Sequence, residues 1–377
     1  MLAIWGIDEL SLKFYNRLSE KEREKVCFVV SDAQQPKEMV GKLAMSSLDK
    51  LQLDKVEKLL IPTKGIFGNS SNYDRIIYRT VLQKTNLSDD KIWLMDYKTF
   101  DLELKERGYL DDFLASNTIP YIFHLEFEVT HHCNLNCRGC THFTPLSKKK
   151  FGNLEQFIKD LERIHKMVDH LGQILLLGGE PLLNPDLNRF IEESHRIYPD
   201  AEIKVISNGM LLGSISDSLI DTMKRTNTIL SVSLYPPIMN YVKEKLNKVA
   251  LKGIHIEEFH DCNVFASMIL PECKSNASKA YAMCIQSGCH IFEDGRLSSC
   301  ALAHKTPVFE EYFNLEHVYP DCSIDLYADD LTPQKLQAYL MNPIEMCRFC
   351  GKPKSFPWAP AGKNPKKEDW YCTEPYC

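Results

Sequence analysis

Three cysteines fall within one short stretch, Cys133-Asn134-Leu135-Asn136-Cys137-Arg138-Gly139-Cys140. No other feature constrains the chain as strongly, because thiols this close on one loop either pair with distant partners or bind a metal together. The chain holds fourteen cysteines in 377 residues, and only Cys27 precedes Cys133. A disulfide framework suits a small secreted protein. Here the N-terminus, MLAIWGIDELSLKF, has no basic region and acidic residues interrupt its apolar run, so it does not read as a secretory signal. No apolar run approaches the roughly 20 residues that span a bilayer. The expectation is a cytoplasmic chain whose cysteines bind metal or do redox work. A net charge of −6 gives no general pull toward nucleic acid or anionic lipid, so neither a nucleic acid nor a membrane is expected as partner.

Periodicity places the cysteines in context. Over residues 1–100, apolar stretches at Leu2–Ile7, Val26–Ser31, Leu59–Pro62 and Ile92–Met95 alternate with helical patterns such as Leu10, Phe14, Leu18 and Tyr73, Ile77, Val81. Strands alternating with helices predict a small parallel α/β unit. The first strand runs into Gly6-Ile7-Asp8-Glu9, without the Gly-x-Gly turn of a dinucleotide site. Residues 101–120 are charged, then polar, and read as a linker. Alternation resumes at Phe123, Leu125, Phe127 and Val129, followed by helical spacing at Leu154, Phe157, Leu161, Ile164 and Val168. Further strands are expected at Ile174–Leu177, Ile203–Ile206, Ile229–Leu234 and Ile254–Glu258, with helices at Leu187–Ile197, Leu219–Lys224 and Val242–Val249. This run of βα units suits a full or partial βα barrel. After about residue 262 helical signals fade and cysteines thicken. Ile291–Leu297 reads as a hairpin turning at Asp294-Gly295. The expected fold class is therefore α/β, with domains at 1–115, 120–275 and 276–377, the last an irregular, metal-organised region.

The C-x3-C-x2-C spacing lets Cys133, Cys137 and Cys140 meet three corners of an iron–sulfur cubane and leaves the fourth iron open to a substrate or cofactor. Zinc sites usually use four ligands with paired C-x2-C spacing, which makes zinc the alternative. Gly178-Gly179-Glu180-Pro181 follows the strand Ile174–Leu177. Two glycines permit close backbone approach to a ligand, and a carboxylate complements an ammonium group.

With both motifs at these positions, the chain resembles the radical S-adenosylmethionine superfamily. The resemblance implies a partial (β/α) barrel and a [4Fe–4S] cluster on Cys133, Cys137 and Cys140. It also implies S-adenosylmethionine held at its methionine end by Gly178, Gly179, Glu180 and Pro181. Ser207 and Asn208, and Ser231 and Ser233 on the next strand, match ribose-side positions, where turn or packing roles remain open. By the same resemblance the cofactor is reductively cleaved to a 5′-deoxyadenosyl radical that abstracts hydrogen from a small-molecule substrate. The electron would come from a flavodoxin- or ferredoxin-type donor. No protein acid or base is required for that first step, and no catalytic residue is assigned. The family often carries an aromatic residue just before the third cysteine. Here Gly139 stands there, so His142 or Phe143 takes over that surface or other groups hold the adenine.

A second set is Cys284 and Cys300 around the hairpin with the pair Cys347-Arg348-Phe349-Cys350. Four such thiolates can close a tetrahedral zinc or a [4Fe–4S] cluster. The arrangement resembles the twitch domain, a shortened SPASM domain, which implies one auxiliary [4Fe–4S] cluster with zinc as the alternative; Cys372 and Cys377 come too late for a second. Cys284 is preferred as ligand to Cys289, which could instead replace it, sit idle or donate a hydrogen atom. Cys262, Cys273 and Cys322 lie outside both sets. His131 and His132 flank the first loop and either tune the cluster or pack. Lys363–Lys367 reads as a solvated tail.

Twitch-type relatives include dehydrogenases and dehydratases of sugars or aminocyclitols. The first α/β unit resembles Rossmann-like domains attached to polysaccharide enzymes and reads as a docking or scaffold domain. Both features point to a carbohydrate or nucleotide-sugar undergoing oxidation, dehydration or epimerisation. The alternatives are a peptide- or protein-modifying enzyme and a non-enzymatic metal sensor. A sensor has no need of the Gly178–Pro181 segment.

Overall fold

The computed structural model describes residues 1–30, 44–63, 69–260, 262–284, 286 and 288–377, with backbone alone for 69–75. The expected strand end Ser31 and the side chain of Tyr73 lie outside the described residues. The chain divides into two compact units. One is Met1–Phe123 with Lys166–His170 and Asp330–Asn342. The other is His124–His165 with Leu171–Asp329 and Pro343–Cys377.

The first unit holds a five-stranded sheet ordered β3-β2-β1-β4-β5. Its strands are β1 (Leu2–Trp5), β2 (Val26–Val30), β3 (Met45–Ser47), β4 (Lys58–Pro62) and β5 (Ile92–Met95). All four pairings are parallel. Side chains alternate across the sheet. Leu2 and Ile4 enter a core with Phe14, Phe100 and Phe113, and Ala3 enters another with Ile77, Tyr78 and Val81. Helices therefore cover both faces, as burial of a parallel sheet requires. They are α1 (Glu9–Arg17), α2 (Glu20–Arg23), α3 (Asn69–Lys84), α4 (Tyr97–Arg107) and α5 (Leu110–Leu114). Asp8 caps α1 in a reciprocal pair with Ser11, so the segment after β1 starts a helix without a glycine-rich loop.

The linker expected at 101–120 is corrected by α4 and α5. Their charged residues disguise an apolar stripe: Phe100, Leu104, Leu110, Phe113 and Leu114 are all buried in the first core.

The second unit is built on an eight-stranded sheet ordered β10-β9-β8-β7-β6-β12-β13-β14. Its long strands β6 (Ile119–Thr130) and β7 (Val168–Gly178) are followed by β8 (Glu202–Ser207), β9 (Ile229–Ser233) and β10 (His255–Phe259). The pairings β7–β8, β8–β9 and β9–β10 are parallel, joined by α7 (Leu187–Ile197), α8 (Asp217–Arg225) and α9 (Met239–Ala250) in sequence, while α6 (Leu154–His165) lies between β6 and β7. This is an open, partial βα barrel, whose strand ends share one rim.

Beyond it, β11 (Val264–Ile269) pairs antiparallel with β15 (Cys350–Pro357), and β12 (His290–Glu293), β13 (Arg296–Ser298) and β14 (Ile324–Asp325) extend the main sheet. Asp294 and Gly295 take φ of 48° and 79° at the β12–β13 turn, the left-handed pair a tight hairpin uses. The fading of helix after residue 262 is also corrected. Helices α10 (Ala277–Ala282), α11 (Ala301–Phe313) and α12 (Pro333–Met341) lie there. The first is too short to show a period. The second buries Ala301, Leu302, Lys305, Phe309 and Glu310 and carries Pro307 inside, so it has no clean polar face to read. Among the described residues no helix is long and apolar enough to cross a membrane.

Candidate active site

The cysteine loop leaves the sheet at the end of β6. An isolated bridge joins Thr130 to Phe151, and the amides of His131 and Gly152 bond to the carbonyls of Lys150 and Val129. The two feet of the loop are thereby fixed. Its three thiols, Cys133, Cys137 and Cys140, line one cleft of about 460 Å³. The same cleft is walled by Gly178 and Gly179 at the end of β7, Ser207 and Asn208 at the end of β8, and Ser233 and Tyr235 at the end of β9. All of these sit at carboxyl ends of parallel strands, where open α/β sheets place ligands. Polar hydrogens point at the sulfurs. The Leu135 amide lies 3.3 Å and Asn208 Nδ2 3.5 Å from Cys133 Sγ, and Trp358 Nε1 donates to Cys137 Sγ at 3.1 Å. Burial pushes the thiols of Cys133 and Cys137 up to about 12, so bare thiolates are costly and a cationic group that takes them as ligands relieves that cost.

The two glycines line the cleft and also allow a close backbone contact behind it. A Cβ on Gly178 would lie 2.2 Å from the Thr130 carbonyl oxygen, and one on Gly179 1.9 Å from that of His132. The Gly179 amide donates to Thr130 and the Glu180 amide to His132. The end of β7 thus docks on the backbone of the cysteine loop. Glu180 is fully buried. Its carboxylate accepts from Ser207 Oγ at 2.7 Å and from the amides of Asn208 and Leu182 at 2.9 and 3.1 Å, and burial raises it to about 7. It ties the ends of β7 and β8 together from behind the cleft wall. Pro181 is buried at the start of a 3-10 turn. Ser231 lies on β9 outside the cleft lining, whereas Ser233 belongs to it.

Of the two candidates for the missing aromatic surface, His142 lines the cleft and Phe143 is buried in a hydrophobic core. The space beside Gly139 is taken by Phe356 of β15, whose ring would stand 2.6 Å from a Cβ there. The stretch behind Phe356 runs along the loop. Cys137 bridges to Pro360, the Arg138 amide bonds to Ala359, and Asn136 Nδ2 to the Gly362 carbonyl at 2.8 Å. Phe356 and Trp358 were not singled out from the sequence. Their stretch has no periodicity, and Trp358 lies 221 residues from Cys137.

Under the loop is a buried charged network. Glu128 accepts from Lys305 Nζ at 2.6 Å and from His142 at 2.7 Å. Burial alone would raise Glu128, but Lys305, His131 and His142 hold it well below the usual carboxylate range. His131 sits between Glu128 and Glu293, 3.3 and 2.8 Å away. His132 is half-buried, with Nδ1 3.2 Å from the Lys150 carbonyl.

The second cysteine set also meets. Cys284, Cys300, Cys347 and Cys350 line one cavity with Met268, Leu302 and Met346, and Cys289 is outside its walls. Burial, reinforced by the neighbouring thiols, takes Cys300 to about 12 and Cys350 well above its ordinary value. Met268, Gln286 and Pro353 line both cavities, so the two sites adjoin. Cys273 and Cys377 are exposed, and Cys262 is buried near Cys137 and Tyr235 of the first site.

Residues 127–247 match the family model described as Radical SAM superfamily. These residues are a radical SAM domain. The GTP 3′,8-cyclase of Nautilia profundicola is 30% identical over 168 residues, 38% of this chain and 52% of that protein. The enzyme of the same name from a Sulfurovum species is 35% identical over 142 residues, 36% of this chain and 42% of that protein. The chain spans about half the length of the curated relatives it matches. A crystal structure of BtrN in complex with AdoMet and 2-DOIA is 14% identical, covering 61% of this chain and 92% of that one, with a TM-score of 0.37.

The superfamily's cofactors are a [4Fe–4S] cluster and S-adenosylmethionine, and the donor set of the radical SAM domain fits them. Among the described residues, three thiols from one loop and no fourth line the cleft, so Cys133, Cys137 and Cys140 would hold a cluster that keeps one iron without a protein thiolate.

Proposed function

We propose that the chain is a radical S-adenosylmethionine enzyme acting on a carbohydrate or nucleotide-sugar by oxidation, dehydration or epimerisation. The observation that carries the radical chemistry is the cleft itself, with three thiols of one loop opening on strand ends that offer main-chain and hydroxyl groups. Cluster and S-adenosylmethionine, when bound, supply one-electron cleavage of a sulfonium and hydrogen-atom abstraction, with a flavodoxin- or ferredoxin-type protein as electron source. The chain supplies the frame. Cys133, Cys137 and Cys140 would hold the cluster, and Gly178, Gly179, Ser207, Asn208 and Ser233 would line the cofactor's path. Glu180 and Pro181 fix that lining from behind, and Ser231 supports it along β9. Trp358 and Asn208 hold the sulfurs with N–H groups, and Phe356 covers the position of Gly139.

Residues 276–377 are proposed as a twitch-type auxiliary domain, with Cys284, Cys300, Cys347 and Cys350 as ligands of a second [4Fe–4S] cluster. Four thiols around one cavity adjoining the first support this reading. Zinc is the alternative occupant. A second cluster beside the cleft would accept the electron released when a substrate radical is oxidised.

The parallel unit at residues 1–115, in strand order β3-β2-β1-β4-β5, supports a Rossmann-like scaffold or docking role. The substrate class rests on that resemblance. The matched relatives are named for GTP, a ribose-bearing substrate, which is compatible with a nucleotide-sugar. The test is anaerobic turnover of the reduced protein with S-adenosylmethionine and ring-deuterated nucleotide-sugars. Deuterium in 5′-deoxyadenosine supports the assignment. Deuterium transfer from labelled peptides alone would replace the sugar with a peptide substrate.

A further inference from the structure

One cluster of chemically able side chains stands outside both cysteine sets. On β6, His124, Glu126 and Glu128 share a face, because alternate strand residues point the same way. Glu128 is saturated by Lys305 and His142. His124 and Glu126 meet instead the residue just before β12, Cys289. One nitrogen of His124, one carboxylate oxygen of Glu126 and the sulfur of Cys289 all lie within 4.8 Å of one another. His124 and Glu126 are 3% and 5% exposed, so water does not satisfy them freely.

Two features set this apart from an ordinary hydrogen-bonded trio. His124 Nε2 and Glu126 Oε1 are 3.5 Å apart, longer than the charge-assisted bond such a pair makes when it closes on itself. The Cys289 thiol donates to the Glu126 carboxylate, and the His124 nitrogen completes a ring of three donors around one point. Independently, Glu126 Oε2 is buried and has no hydrogen-bond partner among the described residues. A buried carboxylate oxygen without a donor is costly, and a cation is one way to satisfy it. Zinc bonds of about 2.0–2.3 Å place tetrahedral donors about 3.3–3.8 Å apart, so a contraction of roughly an ångström closes the site. Imidazole, carboxylate and thiolate together suit Zn²⁺ better than Mg²⁺ or Ca²⁺, which take oxygen ligands.

We propose that His124, Glu126 and Cys289 form a mononuclear Zn²⁺ site with three protein donors and a fourth position for water. The metal would staple Cys289 onto β6, beside the register pair Leu125–His290. Burial and the adjacent carboxylate hold the Cys289 thiol protonated, so zinc entry displaces that proton to solvent as the Zn–S bond forms. The site does not depend on the radical chemistry proposed above.

The test uses the full chain, reconstituted without oxygen with iron and sulfide, then dialysed against limiting ZnCl₂. Metals are counted per chain, and Co²⁺ replaces Zn²⁺ for spectroscopy. The expected result is about one Zn²⁺ per chain that is lost in both Glu126→Gln and Cys289→Ser while the iron count stays unchanged. These near-isosteric variants guard against unfolding, and the unchanged iron count certifies the fold. The Co²⁺ form should show a one-thiolate charge-transfer band, weaker than that of a four-thiolate site and absent in Cys289→Ser. No zinc in the wild type, or zinc that survives both variants, overturns the site. Loss of iron in Cys289→Ser also overturns it, making Cys289 a cluster ligand. Absence of iron in the wild type would instead defeat the radical reading.

Discussion

At the residue scale, the chain spends burial on charge where it supports the cysteine loop. Glu293 is 7% exposed. Burial would raise its carboxyl, but hydrogen bonds from His131 and His304, then Lys305, outweigh that and lower it to about 2 from 4.5. A folded-state value below the unfolded one means the unfolded chain binds the proton first as pH falls. The stabilisation is therefore complete above about pH 4.5 and is lost as pH drops through 2. A shift of that size corresponds to about 3 kcal/mol. Glu293→Gln should lower the unfolding free energy in urea by about 3 kcal/mol at neutral pH. The gap from wild type should close between pH 4.5 and 2; a gap independent of pH would show that packing, not charge, is lost. None of this network is visible in the sequence. Glu128 and Lys305 are 177 residues apart, and no local pattern marks a lysine inside a helix as the partner of a glutamate inside a strand.

At the element scale, the βα units were legible because both periods are clean. Phe123, Leu125, Phe127 and Val129 alternate, and Leu154, Phe157, Leu161 and Ile164 recur at helical spacing; the structure shows β6 and α6 there. The helix expected at Leu187–Ile197 is present with those bounds. The hairpin at Asp294-Gly295 was legible for another reason, since few pairs tolerate two left-handed residues. The elements that escaped lack a period or hide it under charge: α4 and α5, the six-residue α10, and α11 with its internal Pro307. The stretch 351–377 shows little periodicity in the sequence, yet β15 and Pro360 pair along other elements, since edge pairing needs backbone and no apolar pattern. The Gly178-Gly179 motif was legible, but one physical demand on it was not: the end of β7 packs against the backbone of the cysteine loop. Gly179→Ala should therefore cost about 3 kcal/mol of stability or displace the loop. Calorimetry and iron content after reconstitution would show one or the other. An alanine variant of wild-type stability and full iron content would mean the contact is slack.

At the scale of the whole molecule, one organising fact relates fold to chemistry within the second unit. Strands β6 to β10 bring their carboxyl ends to a common rim, and the residues expected near S-adenosylmethionine lie at or beside that rim, except Ser231, which sits farther back on β9. The antiparallel elements that follow supply the cover, Phe356 and Trp358, and place four further thiols around an adjoining cavity that shares Met268, Gln286 and Pro353 with the first. The spacing within each cysteine set could be read from the sequence. Their proximity could not, because it depends on where β11, β12 and β15 fold back. Two adjoining thiol-lined cavities also set a stoichiometry, since a pair of cubanes holds about eight irons.

The most direct test of the radical assignment combines that stoichiometry with turnover. The full chain is reconstituted anaerobically, reduced, and given S-adenosylmethionine, and iron, sulfide and 5′-deoxyadenosine are measured together. The account predicts about eight irons per chain and 5′-deoxyadenosine formation, with the Cys133→Ala, Cys137→Ala, Cys140→Ala triple variant keeping about four irons and forming none of the product. A wild-type chain without cubane iron, or a triple variant that still makes 5′-deoxyadenosine, would contradict it.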